Sequence, residues 1–191
     1  MPILKPDHSL TEISQTVVAE LRKGSVQKKH PFQNVVLSTI DGDKAASRWV
    51  VFRKLTADQN FLIFTDFRSD KVGQLGKNPN CTLLFYHNRQ GLQVRINGKA
   101  KIHHQNELTK KFWPGVKGNS AKNYTTVLPP GSPISSQKQG EKWDMEFGDE
   151  HFAILEITPN EMEVLQLGRE GHIRANFIRE KEDWKGRFLV P

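Results

Sequence analysis

Two arginines five positions apart, Arg48 and Arg53, stand in "SRWVVFRK", a stretch otherwise rich in apolar and β-branched residues. That spacing puts them on opposite faces of a regular strand, so they are expected to do different jobs. Further on, "FTDFRSDK" runs from a β-like segment into a helix-like one and gathers Thr65, Arg68, Ser69 and Lys71 at the join. A helix N-terminus with free N–H groups, a hydroxyl and two cations suits a phosphate. Each charge-assisted hydrogen bond there contributes roughly 1.5–3 kcal/mol. Gln93, at the start of a cleanly alternating strand, is a third polar feature and can both donate and accept. The bland alternative has Ser69 merely capping its helix and the cations solvated. The three features taken together favour a binding site.

Other chemistries lack their residues. The sequence has no glycine fingerprint for a dinucleotide, no phosphate-loop motif, no paired CxxC and no HExxH. No serine sits in a nucleophile elbow. His103 and His104 are adjacent, so on a strand they face opposite sides, and no metal site is expected. Cys81, the single cysteine, reads as a small buried apolar residue.

The charge is +7, from 28 Lys and Arg against 21 Asp and Glu, which favours anionic partners without choosing among them. Lys99, Lys101, Lys110, Lys111, Lys117 and Lys122, with Trp113 and Tyr124 for stacking, could form a nucleic-acid stripe. A solvated face explains them as well, and nucleic acid is not the expected partner. No apolar run has the length of a membrane span and the first residues lack a signal-peptide core, so the expectation is a cytoplasmic protein.

The elements that would position these residues follow from periodicity. The length suits one domain spanning 1–191, able to bury roughly 70% of its unfolded surface. A first helix is expected over 9–23, with Ser9 and Glu12 as a capping box and Gly24 as its stop. "NVVLSTI" and "ASRWVVFRKL" read as strands joined by a "DGD" hairpin, followed by a strand at "NFLIFT" and a short helix at "RSDKVGQLG". "CTLLFYH" and "LQVRINGKAKI" give two more strands, the second with one apolar and one polar face, as in an antiparallel barrel wall. Asn106 caps a short helix. Residues 114–142 read as a long irregular loop or flap, with a helical turn near "SAKNYTTV". Strands at "HFAILEI", "EMEVLQL", "IRANFIR" and "GRFLV" close the chain. Many short antiparallel strands with small helices make a mainly β protein, a barrel with helical decoration.

The order of arginine strand, "FTDFRSDK" junction, "NP" turn, "FYH" strand end and "QVRINGKA" resembles the pyridoxamine 5′-phosphate oxidase superfamily from about Val35 to Phe112, and more weakly to the closing "FLVP". The resemblance implies an antiparallel, Greek-key split β-barrel and a homodimer with FMN at the subunit interface. It implies FMN-phosphate contacts at Arg48 and Lys71, with Ser69 beside them and Arg68 standing in for an arginine that is Asp70 here. Backbone bonds to the flavin would come from the strand of Arg48, Trp49, Val50, Val51 and Arg53. Phe64, Thr65 and Gln93 would line the cofactor. The substrate side departs from the family: Lys111 stands at a tyrosine position, and an Arg-x-His sequence is replaced by His172-Ile173-Arg174. Leu165 and Asn176 fall where a Trp and an Arg reach the flavin from a partner. The implied function is an FMN-dependent oxidoreductase with its substrate unassigned, a small anion held by Arg53, Lys111, His172 and Arg174. A true pyridoxamine 5′-phosphate oxidase and a flavin carrier or sensor without turnover are the alternatives.

Overall fold

The computed structural model describes residues 2–116, 118–169, 171–181 and 183–191. Helix α1 (Leu10–Val26) opens on the expected capping box, in which Ser9 accepts from the Glu12 backbone and the Glu12 carboxylate takes the Ser9 N–H. It does not stop at Gly24. That glycine is buried inside the helix, and a Cβ there would come within 2.6 Å of the Phe32 Cβ. It marks a close approach between α1 and the chain that follows, not a terminus. Ile13, Val17 and Leu21 face the barrel core from this helix.

Strands β1 (Asn34–Asp41), β2 (Lys44–Leu55) and β3 (Phe61–Asp66) form an antiparallel meander, its first turn made at Gly42 with φ +62°. Helix α2 (Asp70–Lys77) follows, then β4 (Asn80–His87) and β5 (Leu92–His104). β4 returns beside β1, so the order β3-β2-β1-β4 is a Greek key. Next come α3 (Glu107–Phe112), α4 (Asn119–Lys122) and α5 (Gln137–Gly140), then β6 (Phe152–Gln166), β7 (Ile173–Glu180) and β8 (Asp183–Leu189).

β6 corrects the sequence reading. "HFAILEI" and "EMEVLQL" are one strand, because Pro159 and Asn160 form a β-bulge of β6 opposite Asn97 and Gly98 of β5, and the pairing resumes on both sides of it. Gly98 is needed there, since any Cβ would collide with the Thr158 carbonyl. The first half of β6 pairs with β3, closing a six-stranded barrel, and its second half pairs with β7, which carries β8. The interior is apolar: Phe32, Phe52, Phe61 and Phe85 meet in tilted and edge-on pairs, centroids 5.4–5.9 Å apart, around Val35, Leu37, Ile63 and Val94. Losing one such ring would cost about 3–5 kcal/mol. A smaller aromatic cluster lies on the outer face of β3 and β6, where Leu62, Phe64, Phe152 and Ile154 meet Phe112, Trp113 and Tyr124.

Candidate functional site

The site begins where a ladder stops. β2 pairs with β1 from Lys44 to Val51, and with β3 only at Phe52↔Ile63, Lys54↔Leu62 and Leu55↔Phe61. Beyond Phe52, β3 continues through Phe64, Thr65 and Asp66 paired only with β6. The seam between β2 and β3 therefore opens at the irregularity around Arg53. One edge of β2, from Val51 back through Arg48, has no strand beside it. Backbone donors and acceptors left this way need a partner from elsewhere.

The opening ends in a polar cradle. Arg48 is paired with Leu37 across the sheet and shares its inward face. Its guanidinium donates to Thr39 Oγ1 at 2.6 Å, Gln74 Oε1 at 2.9 Å and the Leu37 carbonyl at 3.3 Å. On the β3 side, Lys71 Nζ donates to Ser69 Oγ at 3.0 Å and Thr65 Oγ1 at 3.1 Å. The Ser69 hydroxyl in turn donates to the Asp66 carbonyl at 2.7 Å and does not cap α2. The amide N–H groups of Asp70 and Lys71 have no acceptor among the described residues. Neither Arg48 nor Lys71 forms a salt bridge there. Burial pushes the Lys71 ammonium below its ordinary pKa, and the nearby Arg48 charge pushes it further, against the pull of Asp66 and Asp70. Burial lowers Arg48 too, against Asp70 and Asp41. Two partly buried cations that repel each other and meet only neutral oxygens form a pocket shaped for an anion.

Arg53 faces the other way, as its spacing from Arg48 predicts. Its guanidinium lies 5.6 Å from the centre of the Phe64 ring, and its Nε is buried without a partner among the described residues. Tyr124 is close enough for Arg53 to pull its hydroxyl pKa down, although burial wins and raises it. Trp49 projects outward at 68% exposure, whereas Val50 packs on the core and Val51 is half-buried. Gln93 is half-buried on the outer face of β5, between Tyr86 and Leu165, and its side chain makes no hydrogen bond among the described residues.

Other candidates stand apart from the cradle. Arg68 is gripped by Asp66 (2.7 and 3.1 Å) and donates to Thr126 and Val127 in the segment after α4. Lys111 is exposed on α3. Arg174 binds Glu163 at 3.0 Å, and His172 Nδ1 accepts from Gly168 N–H. Phe64 is opposite Ile154 and Arg174 is opposite Leu165, eleven positions along β6, so Arg53 and Arg174 lie at opposite ends of that strand. One chain does not bring them together. Lys117 of the basic stripe lies outside the described residues.

Sequence reasoning missed Thr39 and Gln74, and named Tyr124 only as a stacking residue of the basic stripe. Gln74 had a signal, since it shares the inner face of α2 with Val72 and Leu75, where a polar residue needs a partner. No group of three or more metal-ligating side chains occurs among the described residues, and no helix there is long and apolar enough to cross a membrane.

The comparisons agree with this geometry. Residues 13–104 match the family model for the pyridoxamine 5′-phosphate oxidase FMN-binding domain. A pyridoxine/pyridoxamine 5′-phosphate oxidase of Ehrlichia chaffeensis is 32% identical over 87% of this chain and 72% of its own. One from Legionella pneumophila is 28% identical over 82% and 77%. Among solved structures, a pyridoxamine 5′-phosphate oxidase-related, FMN-binding protein from Nostoc punctiforme superposes with a TM-score of 0.75 at 20% identity, covering 96% of this chain and 100% of that one. Barrel, open seam and matched domain define an FMN-binding split barrel. The chain belongs to the pyridoxamine 5′-phosphate oxidase family.

Proposed function

We propose that this chain, one FMN-binding unit over its 191 residues, works as a homodimeric FMN-dependent oxidoreductase acting on a small anionic substrate. The observation that carries the reading is the pair Arg48 and Lys71, partly buried, mutually repelling and without a carboxylate partner at the mouth of the open seam. These two hold the FMN phosphate, with Thr65, Ser69 and the free N–H groups at the start of α2 completing the cradle. The unpaired edge of β2 from Arg48 to Val51 offers backbone bonds to the flavin, and Phe64 lies beside it. When bound, FMN supplies two-electron acceptance, while the protein supplies orientation and charge.

A second copy explains the residues that one chain keeps apart. Gln93, Leu165, Arg174 and Asn176 share the outer face of β5, β6 and β7, and Trp49 (68% exposed) and Tyr86 (45%) leave apolar surface outside the barrel. Docking two such faces would bring Gln93, His172 and Arg174 of one copy towards Arg53 of the other. There Arg53, stacked on Phe64, fixes the substrate anion over the ring, and Lys111 borders the entrance from α3. The named relatives make the 5′-phosphates of pyridoxine and pyridoxamine the first substrates to try.

The test is an absorption spectrum after incubation with FMN and desalting. Wild type should keep flavin bands that an Arg48→Ala, Lys71→Ala double variant loses. A colourless wild type would overturn the reading. Reduction of the bound flavin by a candidate amine then separates an oxidoreductase from a carrier, and light scattering reports the dimer.

A further inference from the structure

Arg68 is the basic residue at the junction that does not face the cradle. Its guanidinium forks onto the Asp66 carboxylate, which is almost fully buried and also accepts the Arg68 backbone N–H at 2.8 Å. The remaining donors go 58 residues down the chain, to the Thr126 carbonyl at 2.9 Å, Thr126 Oγ1 at 3.1 Å and the Val127 carbonyl at 3.4 Å. Those acceptors belong to a small ribbon. Thr126 bridges Trp143, the Val127 N–H donates to the Lys142 carbonyl and the Asp144 N–H donates to the Thr125 carbonyl. Lys122 lies 4.6 Å from the centre of the Trp143 ring, fastening α4 to the same ribbon. Immediately before it, Tyr124 is buried in the outer aromatic cluster near Arg53.

The Asp66 turn therefore serves two structures. Its carboxylate holds Arg68 and through it the ribbon, while its backbone carbonyl holds Ser69, whose oxygen accepts from Lys71.

We propose that Arg68 is a positioning residue that couples occupancy of the phosphate cradle to docking of the flap, residues 119–147, and so to the placing of Tyr124 beside Arg53. An anion drawn to Ser69, Lys71 and Arg48 stiffens the turn on which the Arg68 latch is built. The flap closes over the same end of the seam, with Gly131 facing the Asp70 carboxylate. The inference rests on the phosphate reading of the cradle and adds a mechanical consequence to it.

The test is hydrogen exchange of the ribbon amides at Thr125–Val127 and Lys142–Asp144 in the full-length protein. The probes are FMN, riboflavin, which lacks the phosphate, and millimolar inorganic phosphate, with FMN affinity measured in parallel by fluorescence quenching. In wild type, FMN and phosphate should slow ribbon exchange by about tenfold or more, and riboflavin should not. Arg68→Ala should abolish that protection while FMN affinity falls less than about tenfold, because no phosphate contact is removed. Thr126→Val, which leaves the Arg68–Asp66 pair intact, should weaken the protection and guards against misfolding in the alanine variant. Ultraviolet titration should show Tyr124 returning towards an ordinary phenol in Arg68→Ala. Equal protection by riboflavin, or full FMN-dependent protection in Arg68→Ala, would overturn the latch. FMN that binds without protecting the ribbon also overturns it and leaves the cradle standing, whereas failure of FMN and phosphate to bind overturns both.

Discussion

Two groups of cations in this molecule live under opposite conditions. On the outer face of β5–β7, Arg95 and Arg174 share the buried Glu163 carboxylate at 2.8 and 3.0 Å, with Asn97 and Asn176 arranged likewise around Glu161 one step along. At the seam, Arg48 and Lys71 meet hydroxyls, an amide oxygen and a carbonyl, and no carboxylate. The first group has its counter-charge built into the fold and tightens the sheet. The second carries a desolvation cost that nearby Asp41, Asp66 and Asp70 offset only in part and that a visiting anion would relieve. Where a protein leaves its cations unmatched is a better guide to its ligand than where it places most of them.

The comparison breaks most visibly in paired measurements on the seam. Replacing Arg48 and Lys71 by alanine should weaken FMN binding by about 3–6 kcal/mol, more than a hundredfold. The same variant should melt, without ligand, at or above the wild-type temperature, since it removes repulsion. A large drop in apo stability would mean that these cations are structural after all. On the other side, Glu163→Gln strands two arginines, and calorimetry should show a loss of about 1–3 kcal/mol, discounted because both arginines are partly exposed.

Titration sharpens the contrast further. Lys71 has a depressed pKa, so raising the pH discharges it before an ordinary lysine, and FMN affinity should fall below pH 10.5. Lys71→Arg should move that fall to higher pH. The smallest effect concerns His87, buried beside His30 at the end of β4, with its Nδ1 unpartnered. Burial holds its pKa below 6.5, with the His30 charge acting in the same direction. Below pH 6.5 the unfolded chain therefore takes up the proton first. The contribution is complete above that pH and is lost as pH falls towards the depressed folded value. Melting temperature should decline across that window in wild type and decline less in His87→Gln.

The junction was legible in the sequence because its logic is local. Thr65, Ser69 and Lys71 lie within one strand end and one helical turn, and periodicity alone puts them together. For Arg48, spacing gives only a face opposite to that of Arg53, and its place beside the phosphate comes from the family resemblance. Arg68 could not be read in this way, because its acceptors at Thr126 and Val127 lie in a segment without periodicity. The single strand β6 was hidden by Pro159, which normally ends a ladder and here sits at a bulge. Gly24 was misread because a helix stop and a close approach call for the same residue. The separation of Arg53 from Arg174 depends on the register of three strands, which no local pattern encodes.

The closing of β3 by β6 has a consequence for synthesis. Asp66 and Phe152 are partners, yet 86 residues separate them. At a translation speed of about 5–20 residues per second, the free edge of β3 waits roughly 4–17 s for its neighbour. During that interval the nascent chain already carries every side chain of the cradle, beside an open, apolar sheet edge. A gene fragment ending before residue 152 should accordingly yield aggregates and not a small flavin-binding module. In living cells, the dependence of this protein on chaperones should be concentrated in the time before β6 emerges.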